Sequence, residues 1–251
     1  MANWQDPQGT TRTTGGVNAA TVSVPRAARD VGLRSYMLSV YNYMASGVLL
    51  TGIVAMLFAP YAAQVLISEN GRGLSGLGWI ITLSPLAIVF AMSFGAQRMR
   101  TSTLQLLFWA FAALMGLSMS TLFLAYTGAS IAQTFFATAA AYLALSLYGY
   151  TTKGDLSGFG TFLIMGVVGI LVAMVVNMFL QSSAMALAIS AIGVLLFAGL
   201  TAYDTQRIKS MYFHVQGSEM MGKTVIMGAL TLYLDFINMF QFLLSFMGNR
   251  R

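Results

Sequence analysis

The sequence predicts an all-α membrane protein, a seven-helix transmembrane bundle with its last helix central. Three observations predict this class. Of 251 residues, 57% are hydrophobic and only 8% charged, whereas soluble domains carry about 25% charged residues. Mean hydropathy is +0.75. Seven apolar runs, parted by polar or Gly-rich breaks, each approach the roughly 20 residues needed to cross hydrocarbon. Lipid offers the backbone no hydrogen-bond partner, so the runs must be helices, and a barrel would show alternating polarity.

In chain order, residues 1–35 read as a polar, disordered cytoplasmic tail. They include Thr10-Thr11-Arg12-Thr13-Thr14-Gly15-Gly16 and lack the apolar core that a secretory signal requires. Apolar runs follow at 37–59, 77–97, 104–126, 130–150, 159–180, 184–206 and 225–247. The membrane domain is therefore expected over 36–248, with a basic C-terminus at 249–251. At about 30 residues per span and connection, seven spans leave no second soluble domain. The last run admits two arrangements, a seventh full span or a re-entrant helix after six. Gly166 and Gly169, like Gly193 and Gly199, suit close helix packing. The aromatics and the 18 Met suit packing and lipid contact.

The net charge is +6 and the pI about 9.7, but the cations are scattered between apolar runs rather than gathered into a nucleic-acid stripe. Topology explains them better. A cytoplasmic N-terminus places Arg12, Arg26, Arg29, Arg34, Arg98, Arg100, Lys153, Arg207, Lys209 and Lys223 inside, against Arg72, Arg250 and Arg251 outside, as the positive-inside rule asks. With no Cys and the single His214, thiolate nucleophiles and Cys or His metal clusters are excluded. No cofactor and no enzymatic activity are expected.

Asp204 and Asp235 lie in the last two apolar runs. Ionisable groups at membrane depth are costly and mark functional sites by default. Thr231, Asp235 and Asn238 return to one helix face at offsets of four and three. The rest of that segment is apolar nearly all round, which suits a helix surrounded by others. Each aspartate also has a structural explanation: Arg207, three residues on, would neutralise Asp204, and a neutral Asp235 would serve packing alone. Arg98 at the end of the second run is a third charged candidate, with snorkelling as its plainer role. Asn177 and Gln133 suit helix–helix hydrogen bonds, and Lys153 with Asp155 a solvated loop pair.

Two facing carboxyls would share a proton, titrate as a coupled pair, or hold a cation. Asp204 and Asp235 would be metal ligands for a hard cation such as calcium, and two carboxylates fit weak, transient binding. Depth opposes their meeting. Asp204 lies near the inner end of its run and Asp235 about 15 Å into the next, so the helices must extend beyond the apolar limits.

The run Ala202-Tyr203-Asp204-Thr205-Gln206-Arg207-Ile208 and the later Tyr233-Leu234-Asp235-Phe236-Ile237-Asn238-Met239-Phe240 resemble the bacterial branch of the Bax inhibitor-1, or transmembrane Bax inhibitor motif, family. Ser93-Phe94-Gly95 with Arg98, Leu106-Leu107-Phe108-Trp109, Ala113 to Ser118 and Val176 to Leu180 extend the resemblance over about 35–248. It implies a seven-helix bundle around the last helix and a pH-sensitive calcium leak, in a bacterial inner membrane. It further implies that Asp204 and Asp235 form a paired pH sensor and that Arg98 bonds to Asp204. Two departures stand out. Trp79 to Gln97 carries no acidic residue, unlike some bacterial members, and Lys209 to Thr224, with His214 and Glu219, looks long for a connection.

The function expected is thus a pH-gated cation leak, probed by flux that Asp235→Asn abolishes. The alternative is a non-conducting regulator of a membrane protease or other membrane complex, with the N-terminal tail as its handle. An intramembrane aspartyl protease fits poorly, because Tyr233-Leu234-Asp235 replaces the Gly-x-Gly-Asp of such enzymes. The expected partners are the lipid bilayer, calcium or another cation, and such a membrane protein, with no nucleic acid.

Overall fold

The computed structural model describes residues 26–68 and 73–250. Among them eight α-helices follow in order: α1 (Arg26–Leu66), α2 (Gly76–Gly95), α3 (Thr101–Met119), α4 (Leu122–Ala125), α5 (Gly128–Thr151), α6 (Ser157–Leu180), α7 (Ser183–Val215) and α8 (Met220–Met247). With α3 and α4 counted as one segment, seven are long and apolar enough to cross a membrane. The all-α, seven-helix architecture is the one the sequence predicts.

The helices overrun the apolar runs at one end of the bundle. Arg26-Ala27-Ala28-Arg29 are good helix formers and follow Pro25, a residue suited to helix entry. α1 accordingly starts at Arg26, inside the stretch expected to be tail. Residues 1–25, with Arg12, and also Arg72 and Arg251, lie outside the described residues. The 209–224 connection is mostly helix as well. α7 continues to Val215 and α8 begins at Met220, so four residues make the turn. Gly217 takes φ +75° there, a backbone conformation that costs glycine little. Hydropathy marks where a helix leaves lipid, whereas hydrogen bonding continues into water.

α8 is the centre. Two-thirds of its most apolar stretch (67%) is buried, against 11–39% in the other six spans. It packs against α7, α1, α5 and α3, while α2 lies outside α1 and α3, and α6 outside α7. It runs unbroken for 28 residues, or about 42 Å, and is long and apolar enough for a full span. Its far end is tied to the α4–α5 junction: Asn249 N donates to Ser130 Oγ at 2.9 Å and Thr127 N to Asn249 O at 3.2 Å.

Two local devices set α7 beside its neighbours. The α6–α7 turn is only Gln181 and Ser182. Gln181 adopts φ 50°, Asn177 Oδ1 accepts from Ser182 N at 3.0 Å, and Ser182 Oγ caps Met185 N at 3.3 Å, satisfying orphan amides of the first turn. Further along, α5 approaches α7 so closely that a Cβ on Gly149 would collide with the carbonyl of Ala202. Small residues permit such backbone approach.

Candidate functional site: a buried carboxyl pair between the last two helices

The tight α7–α8 turn aligns the two aspartates. Asp204 stands 11 residues before the end of α7 and Asp235 15 residues after the start of α8, or about 16 and 22 Å from the turn. The difference is close to one helical pitch, which tilted, packed helices absorb. The depth difficulty of the apolar limits therefore disappears. The two side chains meet within hydrogen-bonding reach across the α7–α8 interface. Asp204 is 7% exposed and Asp235 4%.

An ionised carboxylate only accepts hydrogen bonds, so two in contact repel unless a proton or a cation lies between them. A proton between them would join the two into a single titrating unit. No donor among the described residues bonds to the buried Asp235 Oδ2, so apart from the facing carboxyl the site is not saturated by those residues. Unpaired buried oxygens are costly and uncommon.

The other side chains singled out in the sequence lie as follows. Arg207, one turn along α7, is exposed and its charge acts on Asp204 through space. Thr231 and Asn238 are half-buried on α8 and bond to their own helix, Thr231 Oγ1 to Met227 O at 3.1 Å and Asn238 Nδ2 to Leu234 O at 2.8 Å. Neither hydrogen-bonds to the carboxyl pair among the described residues. Arg98 does not join the pair either. It is exposed in the turn after α2, its amide bonded to Gly95 O at 2.9 Å, and the bond to Asp204 that the resemblance implied is absent among the described residues. The physical reason is place: Arg98 is exposed beyond the last residue of α2, whereas Asp204 is buried about three turns before the end of α7.

Sequence reasoning missed the wall of the site contributed by α5. Tyr142 lies close enough for the charges of both carboxylates to act on it, and its hydroxyl is buried without a partner among the described residues. Its ring meets Phe236, the neighbour of Asp235, edge-on at 5.5 Å. One turn on, Ser146 Oγ bonds to Thr205 Oγ1 at 3.0 Å and to Tyr41 Oη of α1 at 2.5 Å, a hydroxyl chain ending beside Asp204. The signal was available: Ser130, Thr134, Thr138, Tyr142 and Ser146 recur at every fourth position, and all five are buried. Spacing of four keeps side chains on one helix face.

A loop contact sits at the same end of the bundle. Asp155 Oδ1 accepts from Ser157 N at 2.9 Å at the start of α6. Those hydrogen bonds from Ser157 hold its carboxyl below the usual range.

Comparison with known proteins agrees with this architecture. Residues 33–251 match the family described as "Inhibitor of apoptosis-promoting Bax1". An uncharacterised protein of Rickettsia prowazekii is 48% identical over 222 residues, covering 88% of this chain and 92% of its own. The inner membrane protein YbhL of Escherichia coli is 46% identical over 230 residues, covering 90% and 95%. An uncharacterised membrane protein of Streptococcus pyogenes is 36% identical over 220 residues, covering 87% and 94%. The chain is an integral multi-pass membrane protein and belongs to the Bax inhibitor-1 family.

Proposed function

We propose that this protein is a pH-sensitive cation leak, carrying calcium, in which the Asp204–Asp235 pair is the proton switch. The observation that carries this reading is the contact itself: α7 and α8 bring two buried carboxyls within hydrogen-bonding reach, and one proton decides whether they attract or repel. In the protonated pair α7 and α8 are drawn together at the level of Asp204 and Asp235. Losing the proton leaves either mutual repulsion, which separates the helices, or a cation in the proton's place. Two carboxylate oxygens suit a hard cation held weakly, as a leak requires, since a conducted ion must also depart.

The membrane placement that goes with this reading has the N-terminus in the cytoplasm of a bacterial inner membrane. It gathers Arg34, Arg98, Arg100, Lys153, Lys209 and Lys223 on the cytoplasmic side. Arg207 tunes Asp204 electrostatically, and Arg98 acts as an interfacial anchor.

The test is calcium entry into dye-loaded liposomes carrying the purified protein, from pH 5 to 8. Wild type is expected to give flux above empty liposomes that changes with pH, and Asp204→Asn or Asp235→Asn to lose the pH dependence. Folded protein that gives no flux at any pH would overturn the leak and favour a regulator of a membrane protease.

A further inference from the structure

α1 and α5 both pack on α8, yet they diverge from each other and leave a groove of about 710 Å³ between them. Its walls are almost wholly apolar, with Leu38 and Leu49 from α1 facing Leu143 and Leu147 from α5. These four leucines are 50–67% exposed, so the groove opens sideways, toward the lipid. It runs from Arg34 to Leu49 on α1 and from Phe135 to Tyr150 on α5, about 22 Å along each helix. One leaflet of hydrocarbon is about 15 Å deep, half of the bilayer core, so an acyl chain lies along the groove with its headgroup at one end.

That end is cationic. Arg34 lines the mouth beside Tyr150. Lys209 of α7 donates to Tyr150 O at 2.6 Å and lies over its ring, 4.9 Å from the centroid. Arg34 in the lining, with Lys209 held against Tyr150 at the same end, makes that end of an apolar, lipid-facing groove complementary to a phosphate.

We propose that the α1–α5 groove binds an anionic glycerophospholipid, one acyl chain between the two helices and its phosphate at Arg34 and Lys209. The floor of the groove gives this ligand a role. Tyr41, Ser146 and Tyr142 line it, and the hydroxyl chain from Tyr41 through Ser146 ends at Thr205, the residue beside Asp204. A lipid that holds α1 and α5 at fixed spacing therefore holds one wall of the carboxyl site. The role rests on the proposed switch, whereas binding does not.

The experiment is native mass spectrometry of the full chain released from vesicles of equal phosphatidylglycerol and phosphatidylcholine, without calcium. Wild type is expected to retain phosphatidylglycerol preferentially. Arg34→Gln should retain about fivefold less, the loss that one basic residue near the membrane surface represents. Leu143→Trp, which fills the groove while leaving both cations in place, should retain neither lipid. Equal retention of the two lipids by wild type, or unchanged retention in both variants, overturns the proposal. A second copy in the groove is the rival occupant. The chain has no Cys, so a disulfide dimer of Leu143→Cys in vesicles would assign the groove to that copy and also overturn it. Because no flux is measured, these outcomes are independent of whether the protein conducts calcium.

Discussion

Tyr233 and Asp235 stand two residues apart on α8 and point to nearly opposite sides of it, a rotation of about 200°. On one side Tyr233 is fully satisfied. Its hydroxyl bonds to Thr51 Oγ1 of α1 at 2.6 Å, Thr51 bonds on to Ala112 O of α3 at 2.8 Å, and the rings of Phe108 and Phe111 pack edge-on against it. On the other side Asp235 meets a second carboxyl and keeps one oxygen unpaired. The same helix thus carries a closed polar contact and an open one. A closed network rigidifies a bundle, and an open one costs stability that structure alone does not repay. The difference is the one that the proposed proton switch requires.

Substitutions on the two sides sharpen that contrast. The largest stability effect is expected from Tyr233→Ala, which empties a fully buried site and should cost about 3–5 kcal/mol. Reversible unfolding in detergent would measure it, and a small loss would mean that α8 is not the centre of the packing. Tyr233→Phe keeps the ring and removes one hydrogen bond, worth about 0.6 kcal/mol in membrane bundles. It should leave the pH dependence of flux untouched. A changed pH profile in that variant would erase the distinction between the two sides of α8.

Asp155 gives the smallest effect and one with a fixed sign. Because Ser157 lowers its folded pKa, its contribution is present above the unfolded value and lost as pH falls through the folded one. Wild type should therefore exceed Asp155→Asn slightly in thermal midpoint at pH 7. The two should converge as pH drops below the ordinary carboxylate value of 3.8. A gap that widened in acid would contradict the hydrogen bond as its cause.

Much of this architecture was legible in the sequence, for physical reasons that also explain the rest. Hydropathy located all seven spans because lipid demands continuous apolar surface. The all-apolar surroundings of Asp235 located the central helix. The helix ends were not legible: Lys209 to Val215 lies past the apolar run, yet its helical hydrogen bonds continue, and this overrun brings Asp204 and Asp235 level. Arg98 shows the opposite limit. A family motif carried it to the right segment, but its exposed position past the end of α2 depends on where the helix stops. Tyr142 went unnoticed because a tyrosine in an apolar run reads as packing until its buried hydroxyl is found within reach of the carboxylates' charges.

The central claim is that one proton is shared by Asp204 and Asp235 and governs conduction. Its most direct test is an isotope-edited infrared titration of aspartate carboxyl stretches in reconstituted protein, with calcium flux recorded over the same pH range. Between pH 5 and 8 the account predicts one carboxyl step in wild type, with its midpoint at the pH where flux changes, and its displacement from that pH in both Asp204→Asn and Asp235→Asn. Two carboxyls titrating independently, or a pH-dependent flux that survives in both variants, would contradict it.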